Sequence, residues 1–154
     1  PITTHTWAPE RVGEQQLDIF DEEDVNPNNV YIGHSNDSRD IQYLVKIIER
    51  GAWLGLDRLP GGRYPGTPQW KERVKIVKAL IDRGYSDRIM LSHDWSETVL
   101  TFSKKAQEAR EAFNPDGYHF IQRKFLPELK QLGVSEDTLT QIMVENPRRF
   151  LEGR

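Results

Sequence analysis

Cysteine is absent from the 154 residues. Disulfide frameworks and thiolate metal centres are therefore excluded, and His, Asp, Glu or modified Lys remain as the ligands of any metal. Positive charge is not in excess either: 21 Lys and Arg stand against 24 Asp and Glu, a net charge of -3. That balance argues against a nucleic-acid partner. No apolar run approaches the roughly 20 residues that cross a bilayer, and Pro1 is not followed by a basic segment leading into an apolar one. The expectation is a soluble chain without membrane contact, with the cytoplasm favoured as its compartment. An initiator Met is lacking, and the chain opens directly on strand-like residues, as a processed protein or a piece of a longer one would.

What is present is an alternation. Three short apolar runs end in potential ligands: Pro1 to Thr6 carries His5, Val30 to Ser35 carries His34, and Ile89 to Trp95 carries Asp94. A fourth run, Ala52 to Asp57, ends in Asp57 and Arg58. Between them lie helical periodicities. Leu17 and Phe20 share a face over residues 14–23, and Ile41, Leu44, Val45 and Ile48 follow N-cap chemistry at Ser38 to Asp40. Val74, Val77, Leu80 and Ile81 form a stripe that Gly84 stops. Residues 7–13 and 59–68 read as loops, and residues 96–103 as a polar one. A charged helix over residues 104–113 follows, ended by Asn114-Pro115-Asp116-Gly117. The next helix carries Ile121, Phe125, Leu129 and Leu132, and the last runs from Ser135 to Asn146-Pro147.

Strand and helix alternating four times predict an α/β fold with parallel strands. One extra helix precedes the last strand-associated helix, and another closes the chain. An open sheet, a doubly wound sheet and an arc of a barrel all satisfy this order. Ligand-type residues at several strand ends favour the barrel, because barrel sites are assembled from those ends.

Parallel strands would direct His5, His34 and Asp94 to one mouth, and imidazole with carboxylate suits zinc, manganese, cobalt or iron. Such a metal acidifies bound water, and Asp94 could orient that water or accept its proton. Asp37 is either a base near this centre or a turn former in Ser35-Asn36-Asp37-Ser38. Arg58 either binds an oxyanion or pairs with Asp57. His93 and His119 read as structural, and Trp53 and Trp70 as packing. Trp7, Trp95 and the loop from Pro60 to Gly66 follow strand ends, where a substrate pocket or lid would form.

The ordered series Thr3-Thr4-His5-Thr6, Gly33-His34-Ser35-Asn36-Asp37, Gly55-Leu56-Asp57-Arg58, Lys78 to Tyr85, Ser92-His93-Asp94-Trp95, Asn114 to Gly117 and Asn146 to Phe150 closely resembles the bacterial phosphotriesterase family. The resemblance covers essentially the whole chain and corresponds to strands five to eight of that family's (β/α) barrel, so it implies a single half-barrel unit over residues 1–154. It also implies that His5 and His34 bind one metal of a binuclear centre, that Asp94 binds the other and handles the proton of the bridging hydroxide, and that Asp37 is a relay partner. Arg58, in its Gly-Leu-Asp-Arg setting, looks like the substrate-pocket position of the lactonase-like branch. Substrates implied are lactones, carboxyl esters or organophosphate triesters.

The family's first-strand His-x-His pair and its metal-bridging lysine have no counterpart in these residues, so three of six ligands are here. Two functions follow. One is a metal-dependent hydrolase, zinc being the first expectation, completed by the other half of the barrel. The other is a non-catalytic half-barrel that associates, for example as a two-fold homodimer, and at most binds metal weakly.

Overall fold

The structure, a computed structural model, describes residues 1–96 and 102–153. Four strands, β1 (Ile2–Thr4), β2 (Val30–Ile32), β3 (Trp53–Leu56) and β4 (Ile89–Leu91), form one parallel sheet in the order β1-β2-β3-β4. A doubly wound sheet reverses its strand order part-way. Sequential order without reversal, each strand followed by helix, is instead the arrangement of a barrel arc. The chain is an α/β half-barrel.

Helices α1 (Val12–Glu22), α2 (Ile41–Glu49) and α3 (Trp70–Asp82) follow the first three strands. Residues paired across parallel strands point to the same face. Val30, Ile32, Leu54, Leu56, Ile89 and Leu91 face the helices and are buried against Leu17, Leu44, Ile47, Val74, Val77 and Leu80. Each such side chain contributes about 1.5–3 kcal/mol on burial. The opposite face carries Tyr31, Trp53, Gly55 and Met90. Phe150 covers Trp53 and Met90 there in a second, smaller cluster.

The local chemistry explains most boundaries. The Asp40 carboxylate accepts the backbone N–H groups of Gln42 and Tyr43 and so caps α2. Gln69 N donates to the Glu72 carboxylate at 2.9 Å at the start of α3. Helix α4 (Lys104–Phe113) matches the expected charged helix, whereas the polar loop expected before it falls largely on residues outside those described. Residues 7–13 are more ordered than expected: a 3₁₀ turn spans Ala8–Glu10, and α1 begins at Val12.

The last helix also departs from expectation. Asn146-Pro147 does not end it, for α6 (Glu136–Thr140) runs through a π turn, Gln141–Glu145, into α7 (Asn146–Glu152). A second π turn, Ile121–Phe125, likewise precedes Pro127 in α5 (Leu126–Gln131). Proline lacks an N–H and its ring presses on the carbonyl four residues back, which a widened turn relieves. The helix therefore continues and carries Phe150 onto the inner face.

Candidate metal centre

The mouth of the half-barrel is built from the residues that follow each strand. Thr6 Oγ1 donates to Gly33 O at 2.7 Å, tying the end of β1 to the end of β2. His5 and His34 are brought side by side, ring centroids 4.3 Å apart and nearly perpendicular. His34 has a left-handed backbone, φ 60°, and Asp94 does too, φ 47°. Side chains with a Cβ adopt this region at a cost of about 1–2 kcal/mol. Two of the three expected ligands thus sit on strained backbone, a feature that gathers at functional sites.

Asp57 holds His34. Its Oδ1 accepts the His34 backbone N–H at 2.8 Å and lies 3.0 Å from Nδ1. Its Oδ2 accepts the Tyr31 hydroxyl at 2.9 Å. A carboxylate only accepts, so Nδ1 carries the proton and the lone pair is left on Nε2. This is the arrangement that orients a metal-ligating imidazole.

Arg58 organises the other side. Its Nη1 donates to Asp37 Oδ2 at 2.5 Å, its Nε to Asp94 Oδ2 at 3.2 Å, and its Nη2 lies 3.2 Å from His5 Nε2. The expected alternative, a pair with Asp57, is not what forms, because successive side chains of an extended segment diverge. Burial alone would lower the Arg58 pKa, but the hydrogen bond and charge of Asp37, with Asp94 adding to them, raise it above the ordinary arginine value.

Asp37 lies in the 3₁₀ turn Ser35–Asp37 and is buried. Its second oxygen accepts from Arg73 Nη2 at 2.7 Å. Arg73, on α3, is 1% exposed and also donates from Nε to Pro68 O at 2.8 Å. Here burial prevails over Asp37 and lowers the arginine pKa. Asp94 has a second cation of its own, Arg63, whose Nη1 is 3.3 Å from Oδ2 and whose Nη2 donates to the Asp94 carbonyl at 3.1 Å.

The aromatic candidates stand around this centre. Trp7 meets Tyr64 edge-on at 5.8 Å, and the Tyr64 ring lies 4.9 Å from the Arg58 guanidinium. Trp95 lies under Arg110 at 4.5 Å and lines a cleft of about 310 Å³ with Gly62, Arg63, Ala109 and Phe113. His93 lines a small pocket with Asp37, Arg58 and Arg73; its Nε2 accepts Ile121 N–H at 3.4 Å, and burial lowers its pKa. His119 is exposed, at the end of the 3₁₀ turn Gly117–His119. Trp53 and Trp70 pack, against Phe150 and Phe120 respectively.

As donors, His34 with its oriented Nε2 and the adjacent His5 fit two nitrogen ligands of a divalent ion. Asp94 is engaged by Arg58 and Arg63. Among the described residues no three His, Cys, Asp or Glu side chains gather as a metal-holding group. Sequence reasoning missed Tyr31, Asp57 as the partner of His34, and Arg73. Arg73 had left a signal, since it lies four residues before Val77 and seven before Leu80 on the buried stripe.

Known proteins carry the same frame. The chain is 39% identical to a phosphotriesterase homology protein of Mycobacterium tuberculosis over 99% of its own length and 45% of the relative's. It is 35% identical to the aryldialkylphosphatase of Saccharolobus solfataricus, over 97% of this chain and 47% of that one. A phospho-furanose lactonase of Mycoplasmopsis synoviae is 30% identical, over 98% and 41%. The solved structure of the phosphotriesterase from Mycobacterium tuberculosis superposes with a TM-score of 0.88 at 38% identity, covering 99% of this chain and 45% of that one. The chain thus spans a little under half the length of these relatives. Residues 1–151 match the phosphotriesterase family, and with the parallel arc superposing on a solved member, the chain belongs to that family.

Proposed function

We propose that this chain forms the ligand-bearing half of the mouth of a metal-dependent hydrolase that acts on lactones, carboxyl esters or organophosphate triesters. The observation that carries this reading is the meeting of His5, His34, Arg58 and Asp94, one from each strand end, within one connected set of contacts. Relatives named an aryldialkylphosphatase and a phospho-furanose lactonase support the organophosphate and lactone classes.

His5 and His34 would hold one metal and Asp94 the other, zinc first and manganese, cobalt or iron as the other choices, in a centre that is binuclear when the remaining ligands are present. Bound, the metal supplies an acidified water and a Lewis acid for the scissile oxygen. The chain's own residues do the rest. Asp57 keeps the Nε2 lone pair of His34 directed at the mouth. Asp94 accepts the proton of the attacking oxygen. Arg58, released from Asp94 as the carboxylate takes up that task, offers its guanidinium to the developing oxyanion. Asp37 acts on the chemistry through Arg58, fixing the guanidinium on the side away from Asp94. Trp7 and Trp95 line the substrate's apolar part.

A second reading is supported by the edge positions of β1 and β4. It is a non-catalytic half-barrel whose open edges pair with another half-barrel or a second copy. Assay of the intact protein against a lactone, an aryl ester and a phosphotriester, with its solution mass and with Asp94→Asn alongside, separates the two. The hydrolase reading expects turnover that falls about 100-fold or more in Asp94→Asn, within the range of general-base losses. An associated but inert wild type supports the second reading instead.

A further inference from the structure

The inner face of the sheet holds a polar group that the reaction does not require: the hydroxyl of Tyr31, in the middle of β2. Its ring lies against Gly55 of the neighbouring strand, where an added Cβ would sit 2.5 Å from the Tyr31 ring carbons. Only glycine leaves that space, and the ring is thereby aimed along the strand toward the mouth. There the hydroxyl donates to Asp57 Oδ2 at 2.9 Å. Asp57 is left with three donors: the Tyr31 hydroxyl on one oxygen, and the His34 backbone N–H and ring Nδ1 on the other. The carboxylate cannot rotate without breaking one of them.

We propose that Tyr31 is a positioning residue that acts through Asp57 to fix the tautomer and direction of His34. Burial, with Asp57 nearby, raises the phenol's pKa well above its ordinary value, so the hydroxyl stays a donor. Without it, Oδ2 of a largely buried carboxylate has no protein donor, and the plane of Asp57 is free to turn. His34 then exchanges its Nδ1–H form with the Nε2–H form, in which the nitrogen turned to the mouth has no lone pair to give a metal.

The proposal's consequence for metal binding rests on the hydrolase reading above, whereas its consequence for the tautomer does not. The test is Tyr31→Phe in the intact protein, which keeps the ring on Gly55 and removes one hydroxyl. In metal-free protein, ¹⁵N NMR of the His34 ring should show a dominant Nδ1–H form in the wild type and a mixture in Tyr31→Phe. Asp57→Asn should shift the population further. Zinc affinity, measured by competition with a chelating dye, should fall about 3- to 10-fold in Tyr31→Phe, less than the 10- to 100-fold typical of a ligand's direct partner. Unchanged ring shifts in Tyr31→Phe would overturn the proposal. A wild type that binds no zinc while the tautomer still shifts in Tyr31→Phe would sink the metal reading and leave the role of Tyr31 standing.

Discussion

Asp57 and Arg58 are adjacent in the chain and belong to two different constructions. Asp57 collects N–H and O–H donors from Tyr31 and His34. Arg58 joins two carboxylates, Asp37 and Asp94, with Arg73 and Arg63 supporting them from either side. The first arrangement is directional: it steers one imidazole. The second is a lattice of charge in which each member is held because its neighbours are. A single dipeptide at the end of β3 therefore divides the mouth into an orienting half and an electrostatic half. Their failure modes should differ, since loss of a neutral donor frees an angle whereas loss of a buried charge strands its partners.

The largest effect should come from the buried centre of the lattice. Asp37→Asn leaves Arg73 and Arg58 beside each other without their shared carboxylate, and breaking a buried ion pair costs about 3–5 kcal/mol. Denaturant unfolding should register that loss. Asp94 sharpens the contrast because its side chain is 38% exposed: Asp94→Asn should change stability by about 1 kcal/mol or less in the same experiment, while lowering the proposed hydrolysis by about 100-fold or more. A large stability loss in Asp94→Asn, or a small one in Asp37→Asn, would break the division between buried and exposed members.

Gly61→Ala probes the lattice from its packing. Its φ is +90°, and an added Cβ would lie 1.9 Å from Arg73 Nε. The arginine cannot move without releasing Pro68 O and Asp37, so a loss of about 1–3 kcal/mol is expected, read by thermal unfolding. Full stability in Gly61→Ala would show that Arg73 is not clamped by the loop.

A hydroxyl on α2, outside the Asp57 cluster, calibrates the other half. Tyr43 accepts the Gly13 backbone N–H at 3.2 Å, and burial pushes its pKa up to about 12. The folded state therefore holds this proton more tightly than the unfolded state. The associated stability is complete below about pH 10 and is lost as the pH rises through 12. Tyr43→Phe should cost about 0.5–1.5 kcal/mol at neutral pH and remove part of the alkaline loss, which a pH series of urea unfolding would show. An alkaline limb identical to that of the wild type would contradict the burial argument.

The fold was legible where short-range chemistry decides it. The alternation of β-rich runs with periodic helices, the Asp40 cap and the glycines after α3 and α5 all lie within a few residues of what they specify. The four strand ends were legible too, because parallel connection carries each to the same edge. What could not be read was direction. Nothing local says that Asp57 turns to His34 while Arg58 turns to Asp37, since both partners lie more than 20 residues away. Arg73 shows the same limit: an arginine on an apolar stripe looks out of place until Asp37 and the space above Gly61 are brought to it. Pro147 illustrates a local rule correctly applied and overridden, because a π turn relieves the clash and burial of Phe150 rewards continuation.

The central claim is that His5 and His34 are metal ligands in a family hydrolase, with Asp57 holding His34 for that purpose. The most direct test is the metal content of the intact protein beside its His34→Ala variant, after identical dialysis against zinc. The account predicts bound zinc in the wild type and a clear loss of it in His34→Ala. Equal zinc in the two proteins would contradict it.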